Sequence, residues 1–225
     1  MNKQLIDIII VTYNRFDLLT ELLDKLNNQN IKEFNVIITD DGSSKLINPI
    51  EYDFVKMYLW HKNEGCCKVA RLNEAFKLCE SDYVLCMDDD VIPVYDNWIE
   101  THLDNLKRFD VSRGIVEFPN GGGNANTWFM GSNYALKNKT IEDIGYYDMN
   151  YNGNYGFDDN DFGEIIKENK LICSNFVENT KVIHKGVGYA DNDRSEKIIG
   201  HNLNYFISKW GFDPRGKLYV PYQNN

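Results

Sequence analysis

Ile6-Asp7-Ile8-Ile9-Ile10-Val11, followed at once by Thr12-Tyr13-Asn14-Arg15, is the stretch from which the fold can be read outward. A short β-branched run of this kind suits a strand buried on both faces. Asp17 then stands where it can cap a helix whose Leu18, Leu19, Leu22, Leu23 and Leu26 share one face. Val36-Ile37-Ile38, ending at Thr39, reads as a second buried strand, and Val55 to Trp60 as a third with alternating apolar residues. Val69, Leu72, Phe76 and Cys79 form another helical stripe, and Tyr83-Val84-Leu85-Cys86-Met87 a further strand. Strands joined by helices pair in parallel, which predicts an open α/β sheet flanked by helices.

Beyond residue 110 the pattern is mixed. Val111 to Phe118 reads as a strand, Pro119 to Asn126 as a glycine- and asparagine-rich loop, and Thr127 to Leu136 as a strand. Asp159 to Asn169 and Ile198 to Trp210 read as helices. With no repeat and no linker-like break in composition, residues 1–225 are expected to form a single domain with two functional halves, 1–110 and 111–225.

Composition narrows the function classes. Hydrophobic residues at 43% and aromatics at 13% supply a real core and exclude the disordered class. The excess of 34 acidic over 24 basic side chains argues against nucleic acid as a partner, which needs a basic face. The run Leu5 to Val11 is too short to span a bilayer and no cleavage-site pattern follows it, so a soluble, cytoplasmic protein is expected, with peripheral membrane contact left open. Cys66, Cys67, Cys79, Cys86 and Cys173 lack CxxC spacing, which suits free thiols in a reducing compartment better than a zinc site. Without a secretory signal, Asn138-Lys139-Thr140 carries no weight as a glycosylation site.

In open parallel sheets, ligands bind outside the carboxyl ends of the strands. Those ends carry Thr12-Tyr13-Asn14-Arg15, Asp40-Asp41-Gly42-Ser43-Ser44 and Asp88-Asp89-Asp90. Turn formation alone accounts equally well for the second group. The third is harder to dismiss: three adjacent carboxylates repel one another unless a cation offsets them. In an extended segment Asp88 and Asp90 point the same way and Asp89 the opposite way, so the outer pair can share a site for Mg²⁺ or Mn²⁺ while Asp89 is structural. No GxxxxGK[ST] loop and no GxGxxG after a strand is present, and Gly121-Gly122-Gly123 lies in the wrong context for either. A diphosphate bound here would need a metal as its counter-charge.

Val11-Thr12-Tyr13-Asn14-Arg15, Thr39-Asp40-Asp41-Gly42-Ser43, Asn63-Glu64-Gly65 with Ala70-Arg71-Leu72-Asn73, and Asp88-Asp89-Asp90 occur in that order. They are followed by Gly131-Ser132-Asn133, Ile144-Gly145-Tyr146-Tyr147-Asp148, Gly156-Phe157-Asp158-Asp159-Asn160-Asp161-Phe162-Gly163, His184 and Lys209-Trp210-Gly211. This series resembles the GT-A fold glycosyltransferases, especially the inverting family 2, over nearly the whole chain. The resemblance implies a Rossmann-like nucleotide-sugar-binding half followed by an acceptor-binding, catalytic half. Asn152-Gly153-Asn154-Tyr155-Gly156-Phe157 is also similar to the segment before the acidic motif of family 7 galactosyltransferases, a hint toward a galactose-type donor.

By that resemblance, Tyr13 and Arg15 line the nucleotide pocket, Asp41 accepts from the base, and Asn63 and Arg71 lie near base and phosphates. Asp88 and Asp89 belong to the donor side, Asp88 as the first acid of the DxD motif. Asp90 is the last acid and the direct ligand of Mn²⁺ or Mg²⁺, and His184 is a second ligand; alone, a histidine after an apolar pair reads as structural. Phe157 to Gly163 resembles the family's ED motif with Asp158 in place of Glu, which leaves the role of Asp158 open on the acceptor side. Asp159 takes the place of the general base. Helix-dipole and capping effects explain one or two of these acids without chemistry, Asp161 among them. Trp128 reads as a sugar-stacking or a core residue, and Gly121–Gly123 as a mobile loop or a plain hairpin. The activity implied is transfer of a hexose from a UDP-sugar to a hydroxyl of a glycan or other acceptor, a step in glycan biosynthesis. The alternatives are a catalytically inactive carbohydrate-binding subunit of the same fold and a nucleotidyltransferase, the latter lacking its usual glycine- and basic-rich loop.

Overall fold

The computed structural model describes residues 5–119, 129–186 and 196–216. The first half runs β1 (Ile6–Thr12), α1 (Phe16–Asn27), β2 (Phe34–Asp40), β3 (Val55–Trp60), α2 (Lys68–Leu78) and β4 (Tyr83–Asp88). It continues through β5 (Val91–Pro93), α3 (Trp98–Leu106), β6 (Val111–Arg113), β7 (Val116–Glu117), β8 (Asn133–Lys137) and α4 (Asn138–Ile144). Last come α5 (Asp158–Glu168), β9 (Val182–His184) and α6 (Glu196–Trp210). The main sheet has the order β3-β2-β1-β4-β8-β6, and β5-β9-β7 form a small second sheet. β3, β2, β1 and β4 are mutually parallel, whereas β8 runs antiparallel to both β4 and β6. The largely parallel α/β sheet expected from the sequence is thus the observed one, and β8 and β6 extend it with strands from beyond residue 110.

Period-two alternation divides the central strands between two cores. Ile8, Ile10, Val36, Ile38 and Leu85 face α1 and α3, against Leu19, Leu22, Leu26 and Trp98. Ile9, Ile37, Val84 and Cys86 face the opposite layer, with Phe76 of α2, Phe162 of α5 and Phe206 of α6. Each large apolar side chain fully buried this way contributes about 1.5–3 kcal/mol. α6 is held down by polar contacts as well. Lys209 reaches Asp148 at 2.9 Å and Asp161 at 3.0 Å, and Trp210 Nε1 donates to Asp161 at 2.7 Å.

Asp7, the one charge inside the β1 run, is fully buried and has a structural task. Its carboxylate accepts from the backbone N–H groups of Glu80 (2.7 Å) and Ser81 (2.8 Å) and from Asn35 Nδ2 (2.9 Å). It thereby ties the turn entering β4 to the start of β1 and β2.

Four local expectations need correction. α1 begins at Phe16, so Asp17 lies inside its first turn rather than at the cap; the cap position is Arg15, which makes no side-chain cap bond. Asp17 acts on the helix through its charge near the positive end, and its exposed carboxylate lies 3.9 Å from Lys45 Nζ. The stretch Val111 to Phe118 is two strands in different sheets, broken at Gly114-Ile115. The break follows from Asn133, whose Nδ2 donates to Ile115 O and Thr180 O and lies where a Cβ on residue 114 would come within 2.1 Å. Cys79 ends the α2 stripe from the C-cap position, just outside the helix. The strand expected from Thr127 to Leu136 begins only at Asn133, because residues 129–132 are coil and turn; Trp128 and Gly121–Gly123 lie outside the described residues. Among the described residues no helix is long and apolar enough to cross a membrane.

Replacing Asp7 by Ala leaves the buried backbone donor of Ser81 and the part-buried one of Glu80 without an acceptor. Urea unfolding is expected to show a loss of roughly 3 kcal/mol, with the folded-state spectrum preserved.

Candidate functional site

Parallel register aligns the carboxyl ends of three strands. Val11 pairs with Asp88 and Thr12 with Asp40, so the polar segments after β1, β2 and β4 open into one crevice. β4 stops at Asp88 and the chain turns through Asp89 and Asp90 into β5. Val91 of β5 pairs with His184 of β9, and Lys185 N donates to Asp90 O at 2.7 Å. This small sheet is what carries His184, from far along the chain, to the acidic turn.

One ligand atom each from Asp88, Asp90 and His184 lie within 4.8 Å of one another. Asp90 Oδ1 is buried without a hydrogen-bond partner and sits 3.7 Å from His184 Nε2. Phe118 stacks on the imidazole with ring centres 5.0 Å apart, holding its plane. An orphaned buried carboxylate oxygen beside an imidazole is costly unless something binds there. Two carboxylates and one nitrogen suit a divalent cation, with the nitrogen favouring Mn²⁺ over Mg²⁺. Gly186 is part of the fit, since a Cβ there would fall 1.8 Å from Asp90 Oδ2.

Two cations of the chain lie against these acids. Arg15 Nη1 is 2.6 Å from Asp90 Oδ2 and 2.8 Å from Asp89 Oδ1. Lys68 Nζ, at the start of α2, is 3.0 Å from Asp88 Oδ1. Asp89 turns from the other two and accepts from Thr12 Oγ1 at 2.7 Å, which makes it a brace between β1 and the turn. Burial pushes Asp89 up to about 6, although Arg15 opposes it. Burial, reinforced by the charge of Asp88, also raises Asp90. Asp88 goes the other way: burial alone would raise it, but Lys68, His184 and Arg15 hold it below the usual carboxylate range.

Across Lys68 lie the acids of α5. Phe157 precedes them in the left-handed region at φ 65°, a strained conformation for a bulky residue that sets the entry of the helix. Asp158 Oδ2 and Asp159 Oδ1 are both buried without hydrogen-bond partners. Gly131 lies so close that a Cβ would be 2.0 Å from Asp159 Oδ1. Burial lifts Asp159 to about 7; Lys68 pulls it down, and Asp158 and Asp88 push it up. Asp161 bonds instead to Tyr151, Lys209 and Trp210, so its part is structural.

The remaining expected residues surround the end of β2. Asp41 accepts from Arg71 Nε at 3.2 Å and from Cys67 N at 3.1 Å, and its carbonyl accepts from Asn63 Nδ2 at 2.8 Å. Gly42, at φ 100°, permits this: a Cβ would lie 2.5 Å from Asn63 N. Asp40 closes the turn by accepting from Gly42 N and Ser43 N, and Tyr58 donates to it. Tyr13 lies half-buried at the end of β1. The structure therefore gathers Arg15, Asp88, Asp89, Asp90 and His184 in one cluster, with Lys68 in the electrostatic field of both Asp88 and the pair Asp158 and Asp159. Asp41, Asn63 and Arg71 form a second group at the neighbouring strand end. Lys68 escaped sequence reasoning, being one of three cations in α2 with Arg71 and Lys77 and set apart from them by nothing in the sequence.

The sequence pattern of Glycosyl transferase family 2 matches residues 7–164, well over half of the chain. The chain belongs to this family. Among relatives of this glycosyl transferase family 2 chain, the chondroitin synthase of Escherichia coli is 33% identical over 113 residues, covering 46% of this chain and 16% of that protein. The chain spans less than half the length of the curated relatives it matches. Among solved structures, S. aureus TarS 1–349 in complex with UDP-GlcNAc superimposes with a TM-score of 0.68 at 18% identity, covering 95% of this chain and 76% of that one. The mannosyltransferase PcManGT from Pyrobaculum calidifontis, in complex with GDP-Man and Mn²⁺, gives 0.67 at 15% identity, covering 93% and 66%. At these identities the likeness is one of fold, and the fold is GT-A.

Gly186→Ala is expected to push the Asp90 carboxylate out of place and weaken Mn²⁺ binding by roughly ten-fold or more, within the range seen when a metal ligand's support is lost. Calorimetric titration with Mn²⁺, beside a thermal melt unchanged from the parent, checks it.

Proposed function

We propose that the chain is a metal-dependent, inverting hexosyltransferase that takes its sugar from a UDP-sugar and delivers it to a hydroxyl of a glycan or another acceptor. The observation that carries this reading is the pairing of the Asp88–Asp90–His184 cluster with a buried Asp159, whose Oδ1 lacks a hydrogen-bond partner, on the other side of Lys68. Family membership supports it, as do the nucleotide sugars bound by TarS and PcManGT. Asp88 and Asp90 serve as the outer acids of a DxD motif and, with His184, hold the cation. A bound divalent cation supplies charge stabilisation for the departing diphosphate.

The protein's own groups do the rest. Asp41, with Asn63 and Arg71, fixes the base: its two carboxylate oxygens offer about four lone-pair sites, and two are used by Arg71 and Cys67, leaving room for the imide N–H of uracil. Tyr13 closes the same pocket. Asp159 accepts the proton of the acceptor hydroxyl through Oδ1 as that oxygen bonds to the anomeric carbon. The bond from that carbon to the phosphate oxygen breaks on the opposite face, UDP leaves with the electron pair, and configuration inverts. Asp158, one carbon shorter than the family's usual Glu, flanks the acceptor oxygen. The five free thiols suit the cytoplasm, the compartment we assign.

UDP is expected to bind measurably in calorimetry with Mn²⁺ present and far more weakly without it; equal affinity in both would contradict the metal–diphosphate assignment. Asp159→Asn is expected to cut transfer by on the order of 10²–10⁴-fold while leaving UDP binding within about two-fold. The base works ionised and burial lifts it to about 7. Transfer should therefore be flat above that pH and fall about ten-fold per unit below it, as a pH–rate profile of UDP release would show.

A further inference from the structure

The candidate cation ligands already carry cations belonging to the chain. Asp90 gives one oxygen to Arg15 at 2.6 Å and keeps the other bare toward His184, while Asp88 gives an oxygen to Lys68 at 3.0 Å. A guanidinium or ammonium within a few ångströms of a dication repels it, and strongly so beside a carboxylate as buried as Asp90, which is 1% exposed. With Arg15 and Lys68 in these positions, a bare divalent cation gains two carboxylates but must sit against two positive charges.

A nucleoside diphosphate changes that balance. Its phosphate oxygens offer Arg15 and Lys68 an alternative acceptor, which frees Asp88 and Asp90 for the cation. Arg15 stands at the end of β1 and Lys68 at the start of α2, on the two sides of the acidic turn, so both border the space in front of it. We propose that Arg15 and Lys68 are exchangeable counter-cations that make divalent-cation binding conditional on a nucleoside diphosphate. This rests on the functional reading above and adds a role for two residues, one of them Lys68, that the reading does not use.

The opposing view is that Arg15 merely orients Asp90, in which case its loss would weaken the metal. Other contacts already orient Asp90. Its carbonyl is held by Lys185 N at 2.7 Å, Gly186 packs against its carboxylate, and its neighbour Asp89 is fixed by Thr12 at 2.7 Å. Removing Arg15 thus removes repulsion and leaves most of the orientation, so the two views predict opposite signs.

The test is Mn²⁺ affinity, read from the resonance of free Mn²⁺, with and without UDP, in the parent protein and in Arg15→Gln, Arg15→Lys and Lys68→Gln. In the parent, UDP should tighten Mn²⁺ by on the order of 10–100-fold, a usual span for coupled ligands. Arg15→Gln should bind Mn²⁺ alone about ten-fold tighter than the parent and gain much less from UDP. Arg15→Lys, which keeps the charge, should behave as the parent. Lys68→Gln should follow Arg15→Gln and serves as the reporter should Arg15→Gln fail to fold, because Lys68 is only half-buried. Charge-removing variants that bind Mn²⁺ alone no better than the parent overturn the proposal, even where parent UDP binding is metal-dependent and the functional reading stands. A parent protein whose UDP binding ignores Mn²⁺ overturns both.

Discussion

Mutual repulsion among carboxylates is the constraint around which this molecule is arranged. Asp88, Asp89 and Asp90 follow one another at the end of a buried strand, and Asp158 and Asp159 face them from the first turn of α5. Left alone, such a group would open the crevice or take up protons. The chain meets the problem from several directions. Thr12 takes one acid out of the cluster, Arg15 and Lys68 neutralise two others, and Gly131 and Gly186 let the carboxylates lie against backbone where any side chain would displace them. What is left unsatisfied, Asp90 Oδ1, Asp158 Oδ2 and Asp159 Oδ1, is where the proposed function needs a cation and an acceptor hydroxyl.

Much of the fold was legible because its physics is local. β1, β2 and β4 are buried on both faces and so read as apolar runs with few interruptions, Asp7 the charged one in β1, and the leucines of α1 repeat at helical spacing. The split at Gly114 was hidden, because its cause is the side chain of Asn133 arriving from another strand. The small sheet was hidden as well: Val91-Ile92-Pro93 and Val182-Ile183-His184 are too short to announce themselves before they pair. Site residues show the same division. The acidic triplet and its alternation stood out in one dimension, since Asp89 had to point away from its neighbours. Lys68 carried no such signal, for its meaning comes from Asp88 on one side and Asp159 on the other, and those meet only in three dimensions.

Rigid and adjustable parts of the site are separated by secondary structure. Carboxylates on β4 and α5 are anchored in the sheet and in the packed helix layer, with Phe162 and Ile166 of α5 buried beneath Asp158 and Asp159. The cations that answer them are long side chains at element ends, Arg15 before α1 and Lys68 at the start of α2. Such side chains change rotamer on a far shorter timescale than the backbone can move. Negative charge is therefore fixed in position and positive charge is free to be redistributed, an arrangement suited to receiving a ligand that brings both signs with it.

The pairing of β5 with β9 has a consequence for how the protein comes into being. Every carboxylate of the cluster is in place once α5 has been made, but the imidazole arrives only with β9, which docks on a strand laid down near the middle of the chain. During synthesis the acidic turn must wait for a late, non-local partner, and such contacts form slowly because a long loop must first close. Until then Arg15 and Lys68 are the only cations of the chain seated on that turn among the described residues. The three ion pairs these two side chains make need nothing beyond Asp90, so they are open to the nascent chain before the last strand of the small sheet has been made.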